Sequence, residues 1–212
     1  MSIPYEQVGR IQQKHRTRNA IIAAARELVA TGSTPTIEAA AAAAGISRST
    51  AFRYFPNQRS LLVAAHPEID ASSLLPPDAP DDPAARFEAV IEAFTQLVAD
   101  TEPQQRTMLR MSLEPDAAKH DLPLRKGRAI GWIEEALRPL HGRLSPKELR
   151  RLVLAVRSAT GIEARVWLTD IAGLSAQEAT ELTRWTAHAI YQSALDEATA
   201  RRQRASRRSD SH

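Results

Sequence analysis

The sequence contains no cysteine among its 212 residues, which excludes disulfides, thiolate metal sites and cysteine nucleophiles. It contains no apolar run of about 18 residues, so it predicts no transmembrane helix. The first 18 residues lack the apolar core of a secretory signal. β-Branched alternation is scarce whereas alanine is abundant, which favours an all-α protein. Together these features predict an all-helical protein of a reducing compartment, the cytoplasm.

Sequence motifs for catalysis and cofactor binding are also missing. The chain has no HExxH, P-loop, GxGxxG or GxSxG pattern, and its six histidines are scattered. We therefore expect no catalytic residues, no cofactor and no metal centre, so the chain is predicted not to be an enzyme. A metal site assembled from residues distant in sequence stays open as an alternative.

Charge is unevenly distributed along the chain, although the formal net charge is only +3. Residues 1–66 carry a net charge of +5, residues 67–200 carry −6 and residues 201–212 carry +4. A basic N-terminal segment on an acidic body suggests a polyanionic partner at one end of the molecule. The simpler reading is a chance fluctuation of charge.

Helical periodicity, capping residues and prolines divide the chain into about nine helices and four regions. We predict helices over residues 17–31, 37–43, 48–54, 57–65, 83–99, 101–114, 121–138, 146–169 and 175–199. The regions are a helix-turn-helix domain with a basic N-terminal arm over residues 1–66, a linker over 67–82, a second helical domain over 83–200, and a disordered basic tail over 201–212. The linker is assigned because five prolines occur between residues 67 and 83, which is incompatible with a helix.

The segment 36–55 has the spacing of a helix-turn-helix. Gly45 tolerates the positive φ of a tight turn, and Ala41 is small where the second helix must approach the first. Apolar residues at suitable positions would form the shared core: Ile37, Ala44, Ile46, Ala51 and Phe55. The side chains at the start of the second helix, Arg48, Ser49 and Thr50, are then available to base edges in the major groove. A helical hairpin without DNA-binding function is the alternative.

Residues 18–65 resemble the DNA-binding domain of the TetR family of bacterial transcriptional regulators. The resemblance rests on Arg18, Ile21, Ala24, Ala25, Leu28, Thr36, Ile37, Ala41, Ala44, Gly45, Ile46, Ser47, Thr50, Arg53, Tyr54, Phe55, Leu61 and Leu62. It implies a bacterial regulator whose remaining helices form a ligand-binding and dimerisation domain.

The resemblance also implies roles for individual residues. Arg48, Ser49 and Thr50 would face bases. The DNA phosphates would be contacted by Thr36, Ser47, Arg53, Tyr54 and Gln58. Two positions depart from the family: Phe52 replaces a usual tyrosine, and Gln58 stands where lysine is common. We expect weaker phosphate binding there, which Arg59 or the basic stretch from Arg10 to Arg18 would offset.

The second domain offers two further sets of candidates. Apolar and aromatic residues at helical spacing are candidate lining for an effector pocket: Phe87, Ile91, Phe94, Met108, Met111 and Trp132. Residues on the two longest predicted helices are candidates for a dimer interface: Leu152, Val156, Trp167, Leu182, Trp185 and Ala189. Ordinary packing in the core of one subunit is the alternative for both sets.

These observations lead to one expected function and two alternatives. We expect a cytoplasmic, nucleoid-associated repressor that binds a palindromic double-stranded DNA operator as a homodimer and is released by a small molecule. A ligand-independent or architectural DNA-binding dimer is the first alternative, and a filled core without a cavity would favour it. A helical enzyme is the second, and converging titratable groups in a cavity would favour it.

Overall fold

A computed structural model describes residues 5–66, 71–113 and 127–209 of the chain. Every regular element in these ranges is helical, as the composition predicts. The chain divides into two compact units. The first comprises Met1–Asp70 and Thr101–Lys126, and the second comprises Ala71–Asp100 and Gly127–His212.

The described residues of the first unit form five helices. They are α1 (Tyr5–Ala30), α2 (Ile37–Ala43), α3 (Arg48–Tyr54), α4 (Gln58–Ala65) and α6 (Glu102–Leu113). Thr36, Ser47 and Asn57 begin α2, α3 and α4, and each side chain accepts a hydrogen bond from a backbone N–H of its own first turn. These hydrogen bonds satisfy backbone N–H groups that lack a partner at the N-terminus of a helix. The three short helices therefore start where the sequence predicts.

The core of the first unit consists of small and apolar side chains from α1 to α4. It comprises Ile21, Ile22, Ala25, Ile37, Ala40, Ala41, Ala51, Phe55, Leu61, Ala64 and Ala65. Gly45 has a φ of +65° in the turn between α2 and α3, and the next residue, Ile46, donates its N–H to the carbonyl of Ala41 at 2.9 Å. Ala41 is buried at this return of the chain, at the position where the sequence predicts a small residue.

The second unit contains α5 (Pro83–Asp100), α7 (Arg128–Ala136), α8 (Pro146–Thr160), α9 (Ile162–Val166) and α10 (Ala176–Ser209). A 3-10 turn follows α7, and one π-helical turn, Trp167–Ile171, follows α9. Two aromatic pairs lie in its core: Phe87 stacks on Tyr191 at 4.6 Å between ring centroids, and Phe94 meets Trp132 edge-on at 6.0 Å. Helices α5, α7 and α10 are thereby packed together through aromatic contacts.

Several predicted helix boundaries are wrong. Helix α1 begins at Tyr5 rather than near residue 17, because residues 5–16 are rich in helix-forming Gln, Glu, Lys and Arg and extend a helix that already exists. Helix α10 continues to Ser209 instead of ending near residue 199, so residues 201–209 are helical rather than a disordered tail. The side chains of Arg201 and Arg202 bind Glu148 and the carbonyl of Arg143, which attaches this extension to the unit.

The third boundary error concerns the helix predicted over residues 146–169. It is interrupted at Gly161, whose ψ of −178° is extended rather than helical. Arg157 Nη1 and Glu163 Oε2 form an ion pair at 3.3 Å beside this glycine. A Cβ atom at Gly161 would lie 1.9 Å from Arg157 Nη1, so the absence of a side chain leaves room for the pair.

The division into units also differs from the predicted domains. Helix α6 belongs with the N-terminal helices, where Met108 packs with Val29 and Leu62. Residues 71–82 are irregular, as predicted for a linker, but they belong to the second unit, where Ser73 Oγ donates to Glu135 Oε2 at 2.7 Å. The helix predicted over residues 121–138 is not continuous: α7 begins at Arg128, because Gly127 before it has a left-handed φ of +67°. Residues 121–126 and the linker residues 67–70 lie outside the described ranges.

Candidate nucleic-acid interface

The start of α3 is open to solvent, as a recognition helix requires. The side chain of Arg48 is 74% exposed, and Ser49 is exposed as well. Thr50 is half-buried, and its Oγ1 accepts a hydrogen bond from Ser47 Oγ at 2.8 Å. Arg48 and Ser49 are therefore accessible to a duplex, whereas the Thr50 hydroxyl is already engaged in the cap of its own helix.

Arg48 has two neighbours that the sequence alone did not indicate. Its Nη2 lies 3.0 Å from Oε1 of Glu38 on α2, and its guanidinium carbon lies 5.5 Å from the ring centroid of Phe52 on α3. The first contact is an ion pair and the second a cation–π contact. Because Glu38 precedes Arg48 by ten residues across a tight turn, only the crossing of the two helices reveals their proximity.

The predicted phosphate contacts differ in their accessibility. Thr36 and Ser47 are exposed caps, Arg53 is exposed on α3, and Tyr54 is half-buried against the core. The hydroxyl of Thr36 accepts from the N–H of Ala39 at 3.1 Å. A hydroxyl in this role still has a proton to donate, which suits a phosphate oxygen.

Gln58 is engaged inside the unit. Its Nε2 donates to the carbonyl oxygens of Thr34 at 3.2 Å and Pro35 at 2.9 Å. The predicted phosphate contact would require at least one of these bonds to be given up. Arg110 of α6 donates to Thr34 Oγ1 in the same loop, a contact between residues 76 apart that the sequence did not indicate.

The basic residues proposed to compensate fall into two groups. Lys14, Arg16 and Arg18 are exposed on α1, and the Arg18 guanidinium lies 5.4 Å from the ring centroid of Phe55. Arg59, in contrast, is half-buried, and its Nε and Nη2 are buried with no hydrogen-bond partner among the described residues. The exposed cations of α1 are thus better placed to meet an anionic surface than Arg59.

The predicted effector-pocket residues do not form one site. Met108 and Met111 belong to the first unit, where they pack with Val29 and Leu62. Phe87, Ile91, Phe94 and Trp132 lie in the second unit and are buried there. The helical spacing of these side chains correctly predicted buried faces, but it did not show that α6 belongs to the first unit and α5 and α7 to the second.

The second unit instead contains an open cleft of about 740 Å³. It is lined by Gly131, Glu134, Glu135, Arg138, His141, Gly142, Leu144, Pro146, Leu149 and Arg150. None of the predicted pocket residues contributes to it. Its volume is within the range that suits small ligands, and its walls combine apolar side chains with charges of both signs.

The predicted dimer residues also separate into two groups. Leu152 and Val156 are buried within the second unit, so they are unavailable as a surface, because α8 turns this stripe towards its own core. Trp167, Leu182, Trp185 and Ala189 are exposed, and so is Ile171. Trp167 is 58%, Ile171 72% and Trp185 68% exposed, which leaves large apolar side chains in contact with water.

Every helix in the part of the chain that the structure describes is too short or too polar to span a bilayer. No group of three or more histidine, aspartate or glutamate side chains in the same ranges is placed to hold a metal ion.

Comparison with known proteins identifies the first unit. No curated protein matches the chain. Residues 21–65, which span the C-terminal part of α1 and all of α2, α3 and α4, match the family model described as bacterial regulatory proteins, tetR family. The matched stretch contains the exposed start of α3 and the caps Thr36 and Ser47. The first unit therefore contains the N-terminal helix-turn-helix domain of TetR-family regulators, which implies a DNA-binding transcriptional regulator.

Proposed function

We propose that the protein is a repressor that binds a palindromic operator as a homodimer and is released from it by a small molecule. The observation that carries DNA recognition is the exposed start of α3, with Arg48 and Ser49 facing solvent. The net charge of +5 on residues 1–66 supports docking on a polyanion. Such a protein acts where the chromosome lies, in the bacterial cytoplasm at the nucleoid.

Within this proposal, Arg48, Ser49 and Thr50 read bases, and Thr36, Ser47, Arg53 and Tyr54 contact phosphates. Arginine has a two-pronged donor edge that matches the acceptors of guanine in the major groove. Two copies of α3 would enter successive major grooves about 34–36 Å apart, so a dimer requires two half-sites with that spacing.

The homodimer is supported by the exposed apolar side chains of the second unit. Leu182, Trp185 and Ala189 are spaced by three and four residues on α10 and therefore lie on one face of the helix. Covering Trp167, Ile171 and Trp185 with a second copy would remove a large apolar area from water. Because a two-fold interface uses the same patch on both copies, the dimer would present two equivalent α3 helices.

Release by an effector is supported by the cleft rather than by the buried aromatic pairs. Its volume of about 740 Å³ admits a small organic molecule. Binding there would release DNA only if the effector has different affinities for the DNA-bound and free conformations. The alternative is a DNA-binding dimer without a ligand. The close packing of Phe87, Phe94, Trp132 and Tyr191 favours this alternative if no compound acts through the cleft.

The test of DNA recognition is selection of bound DNA from a random pool. We expect an enriched palindrome with two half-sites. Arg48→Ala should relax the base preference at one position of each half-site and cost about 1–3 kcal/mol of binding free energy. Absence of enrichment would contradict sequence-specific regulation, and an unchanged preference in the variant would show that Arg48 does not read bases.

The test of the effector site uses the operator found in that selection. A small-molecule library is screened for compounds that displace the protein from it, and each active compound is retested on Gly131→Phe. A Cβ atom at Gly131 meets no atom within 4 Å, so the larger side chain can be accommodated while it narrows the cleft. We expect the response to be lost in Gly131→Phe and kept in the control Gly131→Ala. Equal responses in both variants would place the effector elsewhere.

A further inference from the structure

We propose that Glu38 is a specificity-determining residue: it holds Arg48 in position for base reading and disfavours binding to DNA that lacks the operator sequence. This inference rests on the proposed role of α3 in DNA recognition. It assigns a function to an acidic residue at an otherwise basic surface, where a carboxylate would be expected only to weaken binding.

The first step of the argument is geometric. Glu38 Oε1 lies 3.0 Å from Arg48 Nη2, and the Phe52 ring lies 5.5 Å from the guanidinium carbon. The side chains of Arg48 and Glu38 are 74% and 42% exposed, and Phe52 is exposed as well. The guanidinium therefore has a carboxylate and a ring as neighbours, yet most of its surface is open to a duplex.

The second step concerns the donors that remain. A guanidinium has five N–H groups, and one contact with Glu38 leaves enough of them to present a two-donor edge to guanine. Arginine otherwise loses considerable rotamer entropy when it is fixed on a base. Neighbours that restrict Arg48 beforehand reduce this loss, as preorganisation does in other binding sites.

The third step concerns DNA without the operator sequence. Such binding depends almost wholly on contacts between cations and phosphates. Glu38 lies in the first turn of α2, two residues after the predicted phosphate contact Thr36. Its negative charge repels nearby phosphates, and its ion pair with Arg48 competes with phosphates for the same cation. Both effects weaken non-specific binding. In contrast, Arg48 can contact guanine through its free edge without breaking its ion pair with Glu38.

Phe52 provides the other neighbour of Arg48. A phenylalanine ring has a face for the cation–π contact with Arg48, but it has no hydroxyl that could donate a hydrogen bond to a phosphate. Phe52 therefore acts in the same direction as Glu38: it binds the base-reading arginine without adding to the general affinity for DNA.

The experiment measures DNA binding of Glu38→Gln by fluorescence anisotropy, using the selected operator and a scrambled duplex of equal length over a range of salt concentrations. The control is Glu27→Gln, which removes the same charge from an exposed position on α1. We expect Glu38→Gln to bind the scrambled duplex about two- to fivefold more tightly than the wild-type protein, because an exposed ion pair contributes only a small free energy. The salt slope on that duplex should steepen by about one, whereas affinity for the operator should not increase.

A second measurement tests whether the effect acts through Arg48. In the Arg48→Ala background, Glu38→Gln should change the ratio of operator to scrambled affinity by much less than in the wild-type protein. The inference is overturned if Glu38→Gln strengthens binding to both duplexes equally, if Glu27→Gln has the same effect, or if the whole change in the ratio of operator to scrambled affinity persists without Arg48. Failure of the wild-type protein to select any sequence would instead contradict the proposed function itself.

Discussion

Gln58 Nε2 donates a hydrogen bond of 2.9 Å to the carbonyl oxygen of Pro35, and so joins the first residue of α4 to the loop that precedes α2. A second bond from the same nitrogen reaches Thr34. The loop carries Thr36, the cap of α2 and a predicted phosphate contact. Gln58 therefore holds the loop that carries this predicted contact, which differs from the direct contact with phosphate that the family resemblance implies for Gln58.

This relationship predicts the behaviour of Gln58→Ala. Loss of two half-buried hydrogen bonds should lower the free energy of unfolding by about 1–3 kcal/mol. DNA affinity should fall because the Thr36 loop is less well held, but the slope of log affinity against log salt should stay within a few tenths of the wild-type value. Chemical denaturation and salt-dependent anisotropy provide the two readouts. A slope reduced by about one would show instead that Gln58 contacts a phosphate.

Thr36 should affect both stability and DNA binding. Thr36→Ala removes the cap of α2 and should lower the free energy of unfolding by about 1 kcal/mol. It should also reduce the salt slope of DNA binding by about one if the hydroxyl contacts a phosphate. Ser145→Ala is the matched control, because Ser145 caps α8 in the other unit with Glu148 as its partner. That variant should lose similar stability with an unchanged slope; a lower slope in both variants would point to a general effect of destabilisation.

Trp185 should contribute to self-association. Trp185→Arg places a charge in the exposed apolar patch, and we expect the molar mass in solution to fall from two chains to one, because a buried unpaired charge is costly. Size-exclusion chromatography with light scattering measures this. Leu113→Arg makes the same kind of change at a side chain that is 71% exposed in the first unit, and it should leave the mass unchanged. A dimer that survives Trp185→Arg would place the interface on another surface.

Tyr191 predicts a dependence of stability on alkaline pH. Burial raises the pKa of the Tyr191 phenol above its ordinary value of 10.0, Asp82 adds to this, and Arg143 opposes it. The folded protein thus favours the neutral phenol. The contribution of Tyr191 to stability is therefore complete below pH 10 and is lost as pH rises through the higher pKa of the folded state. Urea unfolding at pH 8 and pH 10.5 should show a smaller decline for Tyr191→Phe than for wild type. Equal declines would show that Tyr191 does not contribute.

The local features of the helix-turn-helix could be read from the sequence. Thr36, Ser47 and Gly45 act through their own first turns or their own backbone angles, so their effects depend on neighbours only a few residues away. The helices α2, α3 and α4 therefore begin and end within one residue of their predicted limits. The exposed start of α3 follows from the same pattern, because the apolar residues are directed to the opposite side.

The wrong predictions concern side chains whose packing partners are distant in the sequence. Apolar periodicity predicted that Met108, Phe87 and Trp132 are buried, and they are, but it did not distinguish the core of one unit from that of the other. Leu152 and Trp185 both lie on amphipathic helices, yet only Trp185 is exposed. Whether an apolar stripe faces its own subunit or a partner depends on which helices pack against it, and that depends on the whole chain.

The sequence by itself therefore determined the helical class, the caps, the turn at Gly45 and the location of the helix-turn-helix, because these depend on short-range backbone sterics and hydrogen bonding. Only the tertiary structure decided that Glu38 pairs with Arg48, that Gln58 supports the loop before α2, and that the cleft lies beside Gly131. These contacts join residues on different helices, and their formation depends on the angles at which those helices cross, which periodicity along one helix does not specify.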